Sequence, residues 1–289
     1  MGRRALQWLL ALSLLGSLNA YAASPVWAIR GAHNTVYLAG SVHLLPANDT
    51  SLPKGFDRAY ADSATLVMEL DLGNFDPLEA MTWMMDKGAL PPGTTLRGVL
   101  GEPRYQRVST AATALGLTMP MLDGQAPWVV GIELTDLAYV HAGFDPDEGV
   151  EEQLVRRAHA DHKSTAGLET LAEELGGLVA LSREDQVKML DQTLDEAQQL
   201  QGEMQDVLGA WRRGDTQRLG KLLASEYEAF PALYRPLVTV RNEKWLPQIE
   251  QMLKGDSNVL VVVGALHVVG KGGLLELLRR DGYTARQLD

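Results

Sequence analysis

Two segments near opposite ends of the chain share one pattern of apolar and polar positions. Residues 36–39 are apolar and lead into a Gly-x-x-His motif at residues 40–43, and residues 259–263 lead into a second one at residues 264–267. Short, uninterrupted apolar runs rich in β-branched residues are typical of strands buried in a parallel sheet. Glycine lets the chain turn sharply after such a strand. The pattern therefore predicts two strand–GxxH units, each with one imidazole just beyond its strand.

The pattern of apolar and polar residues in the rest of the chain predicts an α/β fold. We predict six strands, at residues 26–30, 35–39, 65–72, 164–168, 258–264 and 284–288. We predict helical segments at residues 54–63, 75–87, 102–115, 127–141, 150–161, 182–214, 216–230, 236–253 and 272–280. The sequence thus indicates a central mixed sheet with flanking helices and a helical middle insertion. We expect one continuous domain, because the two GxxH units lie far apart in the chain and have to meet.

Acidic side chains stand at the ends of two predicted strands. Glu69 and Asp71 would alternate onto one face at the end of the third strand, and Glu169 follows the fourth. Ligands bind outside the carboxyl ends of strands in open α/β sheets. We therefore expect an acid to join His43 and His267 at one site. The alternative for the acids is a strand end that simply reaches solvent.

The first 22 residues have the features of a secretory signal peptide. Arg3 and Arg4 form a positive start, residues 6–18 are apolar, and residues 20–22 read Ala-Tyr-Ala, a typical cleavage signal. We predict cleavage after Ala22, a mature domain of residues 23–289, and a periplasmic or secreted protein. An uncleaved membrane anchor is the alternative. No later apolar run is long enough to cross a bilayer.

Charge and cysteine content exclude several kinds of function. The chain has a formal net charge of −11, which argues against nucleic acid or an anionic membrane as a partner. It has no cysteine, so disulfides, thiolate chemistry and a lipid-modified cysteine are excluded. With 46% hydrophobic residues among 289, a sizeable core is possible.

Several of these features together resemble the TraB/GumN family. The likeness covers nearly all of the chain after residue 22, and its most specific part is the twin motif with a glycine-rich helix start after the second copy. The segments that carry it are residues 40–43, the strand with Glu69, residues 167–169, Arg241 with Asn242, and residues 264–267 with 270–274.

The resemblance implies both a fold and a chemistry. The TraB/GumN family is similar to the Tiki metalloproteases, and more distantly to erythromycin esterases and to the haem-binding ChaN proteins. It implies an α/β fold in which the two GxxH motifs meet and, in the Tiki branch, a peptidase that uses Mn or Co. By position, His43 and His267 match the motif histidines, Glu69 the acid after the first motif, and Arg241 the arginine before the second.

On this basis we expect an exported, metal-dependent hydrolase that acts on peptides. His43 and His267 would be ligands of a divalent ion, with Glu69 as third ligand or general base. Mn or Co follows from the resemblance, and Zn suits the same donors. Arg241 would stabilise a developing oxyanion.

The remaining motif residues are assigned structural roles. Gly40, Gly264, Glu169 and Asn242 are expected to shape the site or support it. We do not expect Ser41 to be a nucleophile, because the chain has no G-x-S-x-G elbow.

Three alternatives remain open from the sequence. The first is a metal-free, esterase-like hydrolase in which one histidine is the general base and Glu69 its partner. The second is a protein without turnover that binds haem, a metal or a peptide. The third is that both histidines are merely hydrogen-bonded loop residues. The sequence identifies neither a peptide nor a small molecule as the substrate.

The predicted cleavage gives the first test. If residues 1–22 are removed on export, the exported protein should have the intact mass of residues 23–289, because cleavage follows the small residues 20–22. Intact mass spectrometry of the exported and membrane fractions measures this. A full-length chain recovered only with the membrane would contradict cleavage and support the anchor.

Overall fold

The computed structural model describes residues 23–196, 200–228 and 231–289. The predicted signal peptide lies outside these residues, as do parts of two predicted helices at 197–199 and 229–230. Within the described ranges, every helix is too short or too polar to cross a membrane.

A six-stranded mixed sheet forms the centre of the fold, as predicted. Its strand order is β6-β4-β7-β2-β1-β8, and a separate pair of short strands, β3 and β5, lies outside it. The four strands from β6 to β2 are parallel, whereas β1 and β8 are antiparallel to their neighbours. The strands are β1 (Val26–Arg30), β2 (Thr35–Ser41), β3 (Leu45–Pro46), β4 (Thr65–Met68), β5 (Phe144–Asp145), β6 (Ser164–Gly167), β7 (Val259–Gly264) and β8 (Ala285–Gln287).

The two predicted strand–GxxH units are direct neighbours in this sheet. Strands β2 and β7 pair in parallel from Val36 opposite Val259 to Ser41 opposite Gly264. Both strands are almost wholly buried. This explains their uninterrupted apolar runs, because helices cover both faces of a parallel sheet. The shared register brings the two motifs to the same edge.

Helices make up most of the rest of the chain. They are α1 (Lys54–Asp62), α2 (Pro77–Gly88), α3 (Leu96–Leu100), α4 (Glu102–Ala114), α5 (Met119–Leu122), α6 (Pro127–His141), α7 (Val150–Ala160), α8 (Leu171–Glu174), α9 (Gly176–Val179), α10 (Arg183–Glu196), α11 (Leu200–Arg212), α12 (Thr216–Glu228), α13 (Pro231–Tyr234), α14 (Val240–Met252), α15 (Ala265–Val268) and α16 (Leu274–Arg280). Short 3₁₀ turns occupy Leu72–Asn74 and Pro146–Glu148, and a π-helical segment, Arg235–Thr239, leads into α14.

The helical middle insertion packs both on the sheet and on itself. Helices α4, α6 and α10 share a second apolar cluster, to which Val108, Leu134 and Leu190 belong. Helix α11 instead joins the main core through Trp211, whose indole N–H donates to the carbonyl of Gly40 at 2.7 Å. The insertion therefore covers the sheet directly above the end of β2.

The strand predicted for residues 65–72 is shorter than expected. It ends at Met68, and the amide of Leu168 bonds to the carbonyls of both Met68 and Glu69, which bends the chain out of the sheet. Glu69 and Asp71 therefore do not share a strand face, and that prediction was wrong. Glu69 is buried, whereas Asp71 is partly exposed and accepts from Asn74.

Neither motif glycine is needed for backbone freedom, and at Gly40 the constraint is space. Gly40 lies inside β2, and Gly264 ends β7 with φ −49° and ψ 139°, a conformation open to any residue. The predicted sharp turns at glycine were therefore wrong. A Cβ at Gly40 would lie 3.2 Å from the Cα of Ala265, because α15 packs directly on β2.

The close packing of α15 on β2 predicts a specific loss of stability. In Gly40→Ala the added methyl meets the backbone of Ala265, which cannot rotate away. The free energy of unfolding should therefore fall by about 1–3 kcal/mol. Thermal unfolding followed by circular dichroism measures the change. Gly124→Ala is the matched control, since nothing lies within 4 Å of its added Cβ. Equal melting temperatures for the two variants would contradict this packing.

Candidate functional site

The carboxyl ends of three parallel strands, β2, β4 and β7, meet around one cavity of about 310 Å³. His43 follows β2, Glu69 follows β4, and Gly264 ends β7 with His267 in the short helix after it. The expectation that the two strand–GxxH units converge on one site is confirmed. Among the other lining residues are Ser41, Tyr139, Glu174, Val238, Arg241 and Leu266.

A carboxylate from helix α7 supports the first histidine. Glu151 lies in the first turn of α7, and its Oε1 is 3.1 Å from Nδ1 of His43. The hydroxyl of Ser41 donates to the same oxygen. Ser41 is buried and its hydroxyl is engaged by Glu151, although the residue also lines the cavity. That Ser41 is not a nucleophile stays a prediction.

The pairing with Glu151 also controls the charge of His43. The Glu151 carboxylate raises the pKa of His43 above its usual value, against the opposing effect of the partial desolvation of a ring that faces a cavity. Burial by itself would raise the pKa of Glu151, but the nearby His43 lowers it overall. Two thirds of the His43 side chain is solvent-accessible, 66%, whereas only 9% of Glu151 is. The pair thus presents a cationic imidazole to the cavity.

The second histidine is held more tightly than the first. His267 was expected in a loop, but it lies in helix α15 and is buried. Its Nδ1 is 2.8 Å from Oδ1 of Asn242, and its Nε2 is 3.2 Å from Nη1 of Arg241. A guanidinium can only donate, so Nε2 accepts and Nδ1 carries the proton. Burial lowers the pKa of His267 to about 4, which keeps the ring neutral at pH 7.

Arg241 is the positive centre to which the buried acids are bound. Its Nε donates to Oε1 of Glu169 at 2.7 Å, and its Nη2 donates to Oε2 of Glu69. Its Nη1 also donates to the carbonyl of Leu237 at 3.2 Å. All three nitrogens are thus engaged, and an oxyanion would have to share Arg241 with acceptors already present. The oxyanion role of Arg241 stays a prediction.

Glu69 is ionised because the attraction of neighbouring positive charges outweighs the effect of its burial. Burial opposes the charge, but His267, Arg241 and His43 lower the pKa of Glu69 to about 2. Its Oε1 accepts from the amide of Gly264 at 2.6 Å. This bond ties the end of β4 to the end of β7.

Sequence reasoning missed two acids at this site. Neither Glu151, in the first turn of α7, nor Glu174, at the end of α8, was among the predicted site residues. Oε1 of Glu174 lies 3.8 Å from Nη2 of Arg241, and burial, reinforced by repulsion from Glu69, raises the pKa of Glu174 to about 7. Neither acid follows a strand, so no local pattern in the sequence could have identified them.

Most of the predicted site residues come together, in different roles. Asn242 and Glu169 do not line the cavity but hold His267 and Arg241 from behind. Gly40 faces Ala265 rather than the cavity. Gly264 borders it directly: a Cβ there would lie 3.4 Å from Oε1 of Glu69, 3.5 Å from Nε2 of His43 and 3.7 Å from Cδ2 of His267.

The gap beside Gly264, between His43, Glu69 and His267, is lined by donor groups that suit a divalent ion. Two imidazoles and a carboxylate are suitable ligands, and each ring is fixed through Nδ1 by an oxygen acceptor, as metal-binding histidines usually are. In the conformation described, however, Arg241 occupies Nε2 of His267. Accordingly, no three of the described His, Asp or Glu side chains already form a metal-binding group. Binding at His267 would require that contact to open, and binding at His43 would require its Nε2 to lose the proton that Glu151 favours.

Comparison with known proteins agrees with this arrangement of motifs. The TraB/PrgY/gumN family matches residues 25–287. The chain belongs to this family. Similar relatives include the "Uncharacterized protein YbaP" of Escherichia coli (strain K12), which is 24% identical in an alignment of 273 positions that covers 90% of this chain and 98% of that protein. An "Uncharacterized protein" of Treponema pallidum (strain Nichols) is 22% identical in an alignment of 292 positions that covers 94% of this chain and 85% of that protein. No solved structure matches.

The His43–Glu151 pair gives a prediction with a definite sign. In Glu151→Gln the carboxylate that favours the imidazolium is gone, so the pKa of His43 should fall. Titration of the imidazole signals by NMR measures it. Glu152→Gln is the control, because it removes the same charge from the adjacent position and should leave His43 unchanged. A His43 pKa that is the same in both variants would show that Glu151 does not charge the ring.

Proposed function

We propose that this protein is a metal-dependent hydrolase, exported to the periplasm or secreted, which cleaves peptides at the GxxH site. One observation carries the proposal. The Nδ1 atom of each motif histidine is bound to an oxygen acceptor. The opposite side of each ring borders the gap beside Gly264, and the carboxylate of Glu69 borders the same gap. This is a common way to present two imidazoles to a metal ion.

The chain's own residues would supply orientation and charge. His43 and His267 would hold the ion, with Glu69 as the third ligand. When bound, such an ion lowers the pKa of water towards neutrality and polarises a carbonyl. Arg241 would balance the negative charge of Glu69 and attract the negative charge that develops on the substrate. Glu174, with its pKa near 7 and its place in the cavity wall, is suited to accept a proton from water.

A metal-free hydrolase is the second candidate, and the contact of Arg241 with His267 favours it. In that conformation Nε2 of His267 is already bonded, so this ring would not take a proton. His43 would then act as general acid, because Glu151 keeps it protonated. In this candidate mechanism the carboxylate partner of the reacting histidine would be Glu151, rather than the Glu69 expected from the sequence. Glu174 would be the base.

The gap beside Gly264 allows a test that separates loss of the site from loss of the fold. In Gly264→Ala the added methyl makes ordinary contacts of 3.4–3.7 Å in an allowed backbone conformation, but it occupies the space between the donors. We expect metal affinity to fall about 10- to 100-fold, with a melting temperature close to wild type. Metal content after loading with Mn, Co or Zn, by plasma mass spectrometry, and cleavage of a peptide library measure the two effects.

Matched variants complete this experiment. Gly131→Ala also brings a Cβ to 3.4 Å from a neighbour, but in helix α6, and should keep both metal and activity. His43→Ala should lose metal without unfolding, since its side chain is largely exposed. Cleavage that persists without any metal would support the metal-free candidate. Absence of both metal and cleavage in wild type would refute the hydrolase, and a Soret band after haem addition would then indicate a haem-binding protein.

A further inference from the structure

A second cavity of about 530 Å³ adjoins the candidate site, with Leu266 in the wall of both. Three elements line both cavities: helix α12, the π-helical segment before α14, and helix α15, which carries Leu266. Helix α12 contributes Leu223 to the first and Ala224 to the second, and the segment before α14 contributes Val238 to the first and Thr239 to the second. The second cavity therefore lies just beyond Leu266 from a molecule that is bound beside His267.

The glycine-rich loop that walls this cavity is held rigidly relative to the candidate site. Gly270 and Gly272 have φ of +86° and +73°. The hydroxyl of Tyr234 donates to the carbonyl of Lys271 at 2.9 Å, and the side-chain amide of Asn242 donates to the carbonyl of Gly272 at 3.0 Å. Asn242 also accepts from His267. One side chain thus fixes both the imidazole and the loop that carries Lys271.

The rim of the second cavity is positively charged in a strongly acidic chain. Arg235 and Lys271 line it, both are exposed, and no described carboxylate forms an ion pair with either. Glu276 is near, but its carboxylate accepts from the amide of Gly272. The walls also include the apolar Leu266 and Val269. Apolar walls with a cationic rim suit a ligand with an apolar body and an anionic group.

We propose that this cavity, called here the Arg235–Lys271 pocket, binds a carboxylate side chain of a peptide substrate whose scissile bond lies at the GxxH site. The inference rests on the proposed hydrolase and specifies its substrate class as acidic peptides. A further depression of about 550 Å³ continues the pocket and shares Gly220, Ala224 and Gly270 with it. Lys221 lines that depression and extends the cationic surface.

Binding of defined peptides tests the pocket independently of turnover. The probes are two hexapeptides of leucine and alanine with a neutral fluorophore, one containing two glutamates and the other two glutamines in their place. Fluorescence anisotropy at low ionic strength, on wild type and on His43→Ala, should show about tenfold tighter binding of the glutamate peptide. The Arg235→Gln/Lys271→Gln double variant should lose that preference. The control Lys54→Gln/Arg58→Gln, which removes two exposed charges elsewhere, should keep it.

The outcomes separate this inference from the hydrolase itself. Equal affinity for the two peptides in wild type, binding of neither, or a preference that survives in the double variant would overturn the pocket. Cleavage of both peptides with equal kcat/KM would refute the pocket and leave the hydrolase standing. Charge-dependent binding that requires Arg235 and Lys271, without cleavage of any peptide, would support the pocket and refute the hydrolase.

Discussion

The site depends on the compensation of buried acids by one buried guanidinium. Arg241 binds Glu69 and Glu169 and also contacts His267, and all four side chains are sheltered from solvent. Each acid alone would be costly to keep ionised in such surroundings, whereas removing one partner of a buried pair typically costs about 3–5 kcal/mol. The ends of β4 and β6 and helix α14 are thus joined by charge as well as by apolar packing. Burial, with a smaller contribution from the charge of Arg241, keeps His267 neutral.

The two histidines are prepared for different tasks although their motifs look alike. His43 is largely exposed and faces a carboxylate, so its charged form is favoured. His267 is buried against Trp245, with ring centroids 4.5 Å apart, and its neutral form is favoured. A pair of equivalent imidazoles would give a symmetric site. This arrangement instead combines one charged, solvent-accessible imidazole with one neutral, buried imidazole whose Nε2 accepts from Arg241.

The sequence predicts the sheet and the meeting of the motifs, but not the acids that support them. Buried parallel strands leave a clear mark, since both faces need apolar residues, and this is why residues 36–39 and 259–263 were informative. Glu69 was found because it follows a strand, although that strand ends earlier than its apolar and β-branched residues suggested. Glu151 and Glu174 sit on helices, where acids are common for other reasons. Only the tertiary fold shows that they face His43 and Arg241.

The pairing of β2 with β7 has a consequence for how the protein is made. These neighbouring strands are separated by more than 200 residues of chain, and nearly all of the helical insertion lies between them. Closing so long a loop is a late and slow event in folding. During synthesis the first motif emerges long before the second exists. The cavity therefore cannot form until β7 and His267 have been synthesised, and a chain truncated before β7 would carry the first motif without its neighbour.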